Sequence, residues 1–432
     1  MYKPILGLIC LALAGTVQAI ESRYGQGCAY IKHSREIYCF GGEPFSSASN
    51  DMPVFSLDIT DKGTMDLKTL EWKTIPKASG DVAPQAASKF MFSPTGDDDS
   101  IYIEGGKVCP GCPPNYGYTY STSKKLWKQM NNYKPIVTTP AVYANGAIWS
   151  FGGVTDSQIG LPQKITTLYN IAVKINTTTW NQGYYTSETS TYPQATWDSS
   201  MVYSPLDNLL IVIGGYEYLE KSVLVKMDDI IAIDIGEKKY SKLTGTTSLS
   251  GSLPESRHGH TAIMDPTNKF VVMFGGCDSN MVGMNDIWLY NIESRTWEKK
   301  NTYGTPPSKR CRHSVVVVEN YMIVLFGEYL GYATDDIAMA LDLNTWTWTS
   351  QPVFGSQTNK VEKRGVEEAT TTVESSGLST KATTGVIVSV IFVVLVIIGF
   401  MVFCFMRKRN DSRRRLQFAQ MADQNTYVAL EK

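Results

Sequence analysis

Pro254-Glu255-Ser256-Arg257-His258-Gly259-His260 opens a stretch that runs on through Phe270-Val271-Val272-Met273-Phe274-Gly275-Gly276 to Asp286, Tyr290 and, seven positions later, Trp297. The apolar run is β-branched and aromatic and stops at two glycines, which reads as a short strand. The same marks recur along the chain. Doublets stand at Gly41-Gly42, Gly105-Gly106, Gly152-Gly153, Gly214-Gly215 and Gly275-Gly276, with Gly327-Glu328 read as a worn sixth copy. Pro84, Pro193 and Pro254 precede their doublets by one fixed distance, and Pro135 and Pro307 by slightly less. Pro307-Ser308-Lys309-Arg310-Cys311-Arg312-His313 matches the opening motif most closely. After the doublets come paired positions, Tyr120/Trp127, Val173/Trp180, Ile233/Tyr240, Tyr290/Trp297 and Ala340/Trp348. Asp51, Asp229, Asp286 and Asp336 stand just ahead of such pairs and read as turn caps. A degenerate repeat of this length indicates a solenoid, propeller or array.

Each unit holds about four strands: a Pro-led lead-in, the run into Gly-Gly, a run from Asp, and a strand with the terminal aromatic. One such unit cannot cover both its faces, so units arranged about an axis bury one another. The Trp is a large anchor between units. Pro-x-x-Arg-x-x-His, Gly-Gly, Asp-x-x-x-Tyr and the distal Trp resemble the kelch repeat over roughly residues 24–352. The resemblance implies an all-β, kelch-type β-propeller of six four-stranded blades. A seventh is left open through closure by residues 20–27. Its departures are the missing Arg and His near Pro84, Pro135 and Pro193, Tyr240 for Trp, and Glu328 for Gly.

The ends predict a single-pass type I membrane protein of the plasma membrane or another secretory-pathway membrane. Lys3, an apolar run over 5–14 and Val17-Gln18-Ala19 read as a signal peptide, 1–19, cleaved after Ala19. Residues 20–353 are the expected extracellular propeller. Residues 354–384, rich in Thr, Ser, Lys and Glu, read as a flexible stalk. Residues 385–406, with Ser389 as the clearly polar member, are long enough to span a bilayer as a helix. The tail, 407–432, carries seven Lys/Arg against three Asp/Glu and is expected inside, on anionic lipid headgroups. Cys404 at the inner boundary is a palmitoylation candidate.

The chain has a net charge of −1, which argues against nucleic acid as a partner. Of eight Cys, six fall in the expected ectodomain. In an oxidising compartment they read as disulfides, with sequence neighbours pairing: Cys28-Cys39, Cys109-Cys112 and Cys277-Cys311. Asn176-Thr177-Thr178 is the ectodomain's N-glycosylation sequon.

No phosphate loop, Gly-x-Ser-x-Gly or His-Glu-x-x-His occurs, and no cofactor, metal site or catalytic residue is expected. Asp97-Asp98-Asp99 reads as a solvated hairpin turn. The rival is a copper-radical oxidase, since galactose oxidase-type enzymes also carry kelch-like blades. His260 and His313 sit at equivalent repeat positions, which points to scaffold rather than copper. Loops after each doublet vary in length and carry aromatics. Tyr116, Tyr118, Tyr184, Tyr185, Tyr216, Tyr218 and Tyr329 are the expected ligand face. The expected work is cell-surface recognition or adhesion, binding a protein or glycan. Extracellular kelch proteins of the attractin type offer the analogy for the propeller alone.

Overall fold

A computed structural model of the chain describes residues 20–44, 52–60, 63–77, 82–108, 112–131, 137, 139–155, 167–168, 172–186, 193–219, 221–247 and 251–355. The expected signal peptide, most of the stalk, the span, the tail, Asp51 and Cys109 lie outside these residues. Among the described residues no helix is long and apolar enough to cross a membrane.

The described strands make six blades, each an antiparallel meander of four strands in chain order, and Thr246–Thr247 adds a short parallel strand to the edge of blade 5. Blade 1 is Gly27–Ile31, Glu36–Phe40, Val54–Asp58 and Lys73–Ile75. Blade 2 is Met91–Pro94, Ser100–Glu104, Gly117–Ser121 and Leu126–Asn131. Blade 3 is Ala141–Ala144, Ala147–Ser150, Ala172–Asn176 and Gln182–Tyr185. Blade 4 is Ser200–Ser204, Leu209–Ile213, Asp229–Asp234 and Lys239–Thr244. Blade 5 is Thr261–Met264, Phe270–Phe274, Ile287–Asn291 and Thr296–Lys300. Blade 6 is Ser314–Val318, Tyr321–Leu325, Ala338–Asp342 and Thr347–Thr349.

No seventh blade forms among these residues. Instead Arg23–Tyr24 pairs with Glu43–Pro44 beside blade 1. The ring closes where Gln26 Nε2 donates to Ser314 Oγ and the Leu325 carbonyl, and Ser314 Oγ donates back to the Gln26 carbonyl. The core is divided accordingly. Apolar clusters sit between blades, for example Ile37, Leu57 and Trp72 with Val318 and Phe326, or Ile211 and Ile230 with Tyr290 and Trp297.

The glycine doublet now has a steric reason. The first glycine faces the ring at the His position of the next blade. A Cβ on Gly214 would lie 2.7 Å from His260 Cε1, and one on Gly275 would lie 2.9 Å from His313 Cε1. This relation corrects the sixth copy. Gly327 donates its N–H to the Arg23 carbonyl, as Gly276 does to Arg310 and Gly215 to Arg257. Gly327 is therefore the second member of its doublet. Phe326, at φ 59°, holds the first place in a left-handed conformation. The next blade presents Gln26 there rather than an aromatic or imidazole ring, which leaves room for a side chain.

Two paired positions are also corrected. Trp180, at φ 60°, occupies the turn before Gln182–Tyr185 and stacks on Tyr102, with centroids 5.7 Å apart; Val173 instead faces Tyr184. Trp348 faces Leu341 rather than Ala340. The aromatics at Tyr240 and Trp297 do bridge blades. Tyr240 accepts from Ala172 N–H and donates to the Tyr185 carbonyl, and Trp297 Nε1 donates to the Met227 carbonyl at 2.7 Å.

Glu104 ends the second strand of blade 2 and is fully buried. Tyr102 donates to one carboxyl oxygen, while Oε1 has no partner. Burial pushes this carboxyl up from 4.5 to about 7. The folded state therefore keeps a proton that the unfolded chain releases above 4.5, so Glu104 weakens the fold as pH rises from 4.5 through 7. Glu104→Gln is expected to stabilise by up to about 3 kcal/mol above pH 7 and by nothing below pH 4.5. Melting temperatures at pH 4 and pH 8 check this, and an equal gain at both contradicts it.

Candidate recognition face around the axis

In five blades the described lead-in brings one residue to the axis. Gly25, Lys89, Asp198, Gly259 and Arg312 occupy this place in blades 1, 2, 4, 5 and 6, and all have φ between 50° and 67°. Their main chains bond to one another in sequence around the axis. Lys89 N–H donates to the Gly25 carbonyl at 2.7 Å, Gly25 to Arg312 at 2.8 Å, Arg312 to Gly259 at 2.6 Å and Gly259 to Asp198 at 2.9 Å. Glycine suits this left-handed backbone; Lys, Asp and Arg there carry strain of about 1 kcal/mol or more each.

These three charges meet the residues after the doublets. Asp198 Oδ2 accepts from Arg312 Nη2 at 2.9 Å and sits 2.8 Å from His258 Nδ1. Arg312 Nη1 donates to Glu328 at 2.6 Å. Burial alone would raise the Asp198 carboxyl, but Arg312 and His258 override it and hold it far below the ordinary carboxylate range. Burial likewise opposes the Arg312 charge, and Asp198 and Glu328 reverse that and raise it. Burial, then the nearby Arg312, lowers the Lys89 ammonium. Farther round, Glu43 accepts from Tyr24 and Ser88, each at 2.7 Å, and pairs with Lys107 at 3.4 Å. Tyr216 lies over the buried His258 ring at 4.7 Å and stacks on Trp197. Cys277-Cys311 bonds blade 5 to blade 6 in the same ring.

The result is a collar of both signs, Glu43, Asp198 and Glu328 against Lys89, Lys107 and Arg312. It opens on a cavity of about 140 Å³ lined also by Gln26, Ser199, His260 and His313. Below it lies the repeat's own wiring. Arg257 and Arg310 are buried and pair with Asp286 and Asp336, so those aspartates are ion-pair partners rather than only turn caps. Asp229 pairs with Lys242. Arg23 is a third copy of the repeat arginine. Its Nη1 donates to the Gly41 carbonyl as Arg257 Nη1 does to Gly275, and it lies over the Phe55 ring.

The expected ligand tyrosines do not gather. Tyr118 and Tyr185 are buried, and Tyr185 donates to the Ile235 carbonyl, so both are core and not contact residues. Their hydroxyl-bearing rings fill gaps between blades. Tyr184 is exposed on the outermost strand of blade 3, away from the loops. Tyr116 packs partly buried on the cluster between blades 1 and 2. Tyr216 belongs to the collar. Tyr218 lies in Tyr216–Leu219, and its side chain is outside the described positions. Tyr329 is exposed beside Leu330 and Tyr332 on the collar side of blade 6. The axial charges and Arg23 were missed from the sequence, although Arg312 standing where Gly259 does was a visible signal.

Cys28-Cys39 joins facing positions of the first two strands of blade 1. Cys112 is disulfide-bonded. Asn176 accepts from Thr178 and Thr179 N–H in a surface turn. In Asp97-Asp98-Asp99, Asp97 closes a hairpin turn through Asp99 and Ser100 N–H. His260 and His313 are buried between blades. Burial, then Arg257, lowers His260 to about 3; burial, then Arg310, lowers His313, whose Nε2 is bonded to Thr261 Oγ1. Among the described residues no three His, Cys, Asp or Glu side chains group to hold a metal ion.

Comparison with known proteins agrees with the blade geometry. Residues 244–375 match the KLHDC2/KLHL20/DRC7 Kelch-repeats domain. The fold is a kelch β-propeller. The chain is similar to acyl-CoA-binding domain-containing protein 5 of Arabidopsis thaliana, 29% identical over 38% of this chain and 24% of that protein. It is 33% identical to host cell factor 1 of Rattus norvegicus over 23% of this chain and 5% of that protein. It is 29% identical to kelch domain-containing protein 10 of Bos taurus over 34% of this chain and 32% of that protein. The matched stretches thus span less than a third of each relative's length.

Proposed function

We propose that this kelch propeller is a recognition module that binds a protein partner through the collar face. The observation that carries it is the choice of residue at the axis. Where blades 1 and 5 use Gly in the left-handed place, blades 2, 4 and 6 hold Lys89, Asp198 and Arg312 there. Strain kept in this way is characteristic of binding sites. A mosaic of both signs selects partners by complementarity rather than bulk attraction. Tyr329, Leu330 and Tyr332 add exposed apolar contact area on the same side.

The leader, the span over 385–406 and the basic tail support a type I membrane placement with the propeller on the lumenal or outer side. Cys277-Cys311 and Cys28-Cys39 favour an oxidising compartment. Gly355 donates its N–H to Glu319 in the hairpin between the first two strands of blade 6. That hairpin is on the face opposite the collar. Binding is favoured over oxidase chemistry because His260 and His313 are committed between blades. Tyr329→Ala with Tyr332→Ala is expected to weaken partner binding at least tenfold with an unchanged melting temperature, roughly the loss of one hot spot. Unchanged affinity contradicts the assignment, and capture of a glycan in place of a protein redirects it.

A further inference from the structure

A groove lies where blade 6 meets blade 1. It encloses about 450 Å³ and is lined by Leu67, Leu70, Trp72, Ile337 and Ile20, with Asp335 at its edge. Ile20 is partly buried against the cluster that joins these blades. Asp336, also in the groove, is taken up by Arg310 and by Ser308, which donates through both N–H and hydroxyl. Asp335 is exposed, and among the described residues no basic side chain pairs with it. Lys68 lines the groove as well, and Glu21 follows Ile20.

We propose that cleavage after Ala19 turns Ile20 into a structural N-terminus, its side chain seated in this groove and its α-ammonium paired with Asp335 across the closure seam. The inference rests on the leader reading above. Hydrolysis of the Ala19–Ile20 bond gives the water's hydroxyl to the Ala19 carboxyl and a hydrogen to the Ile20 nitrogen. That nitrogen takes a further proton below its pKa of about 7.7–8. The charge appears on Ile20, which itself lines this carboxylate-bearing, apolar groove, and an uncleaved chain has a neutral amide there. Ordering of the seam then follows processing. A paired ammonium has a raised pKa in the folded state, so its contribution is full below about 7.7 and is lost as pH rises through the folded value.

The experiment compares chains starting at Ile20 and at Ala19, both through Lys432, each with and without Asp335→Asn. The Ile20 form is expected to melt about 2–4 °C higher at pH 6.5, with the gap closed at pH 9.5 and abolished by Asp335→Asn. Equal midpoints, or a gap that survives Asp335→Asn, overturns the pairing. Sequencing the N-terminus of protein from secreting cells separates this from the leader reading. Ile20 as first residue supports both. Any other first residue overturns the leader reading, while the pairing stands or falls on the melting data.

Discussion

Arg257→Met destabilises the propeller by about 3–5 kcal/mol, the range for removing one partner of a buried ion pair. Arg257 is 1% exposed and every arm is engaged. Nη1 reaches Asp286 Oδ1 at 2.6 Å and the Gly275 carbonyl at 3.0 Å, Nη2 reaches Asp286 Oδ2 at 3.1 Å, and Nε donates to the Glu255 carbonyl at 3.0 Å. Among the described residues, the substitution leaves Asp286 with Trp288 Nε1 as its side-chain donor and orphans the doublet's carbonyl. Arg257→Lys recovers little, because one ammonium cannot replace a planar fork. Adding Asp286→Asn to Arg257→Met recovers part of the loss, since no buried charge is then unpaired. Urea unfolding followed by tryptophan fluorescence reads all three variants. A loss below about 1 kcal/mol for Arg257→Met, within the range of an exposed pair, contradicts the assignment.

Trp297→Ala costs about 3–5 kcal/mol as well, for a different reason. Trp297 is fully buried, packs against Tyr290 with centroids 5.1 Å apart, and ties blade 5 to blade 4 through Met227. Its removal opens a cavity between two blades and orphans a carbonyl. Trp297→Phe keeps most of the volume and loses about 1 kcal/mol for the hydrogen bond. Trp346 supplies the contrast. It sits half-buried in a turn at φ 57°, with Lys300 over its ring at 4.8 Å. Trp346→Ala is expected to cost about 1 kcal/mol or less. Equal losses at Trp297 and Trp346 in denaturant melts contradict this placement.

The blade scaffold was legible because its rules are local. Strands that end at Gly-Gly, and an aromatic seven positions after its cross-strand neighbour, follow from period-two pairing within one hairpin. Reading failed where the reason lay in the next blade. Gly327 is a second glycine because of what Gln26 does not present to Phe326, and nothing near residue 327 says so. Arg23 lacked the leading Pro that marks Arg257, so its shared bond to the doublet carbonyl was visible only in three dimensions. Trp180 looked like an interblade anchor by spacing, but its turn takes it out of the strand. The tyrosines were chosen by residue type and segment. Burial separated Tyr118 and Tyr185 from Tyr329. The charged members of the collar come from four blades, far apart in the chain, so no single segment announced it.

The central claim is that partners dock on the collar face. A photoreactive amino acid placed at Lys107, Tyr216 or Tyr329 on that face, and at Lys32, Asp207 or Glu319 in the opposite hairpins, tests it most directly. Cross-links to one protein partner from the collar positions, with none from the hairpin positions, are the predicted result. Cross-links from the hairpin positions alone, or equally from both faces, contradict it.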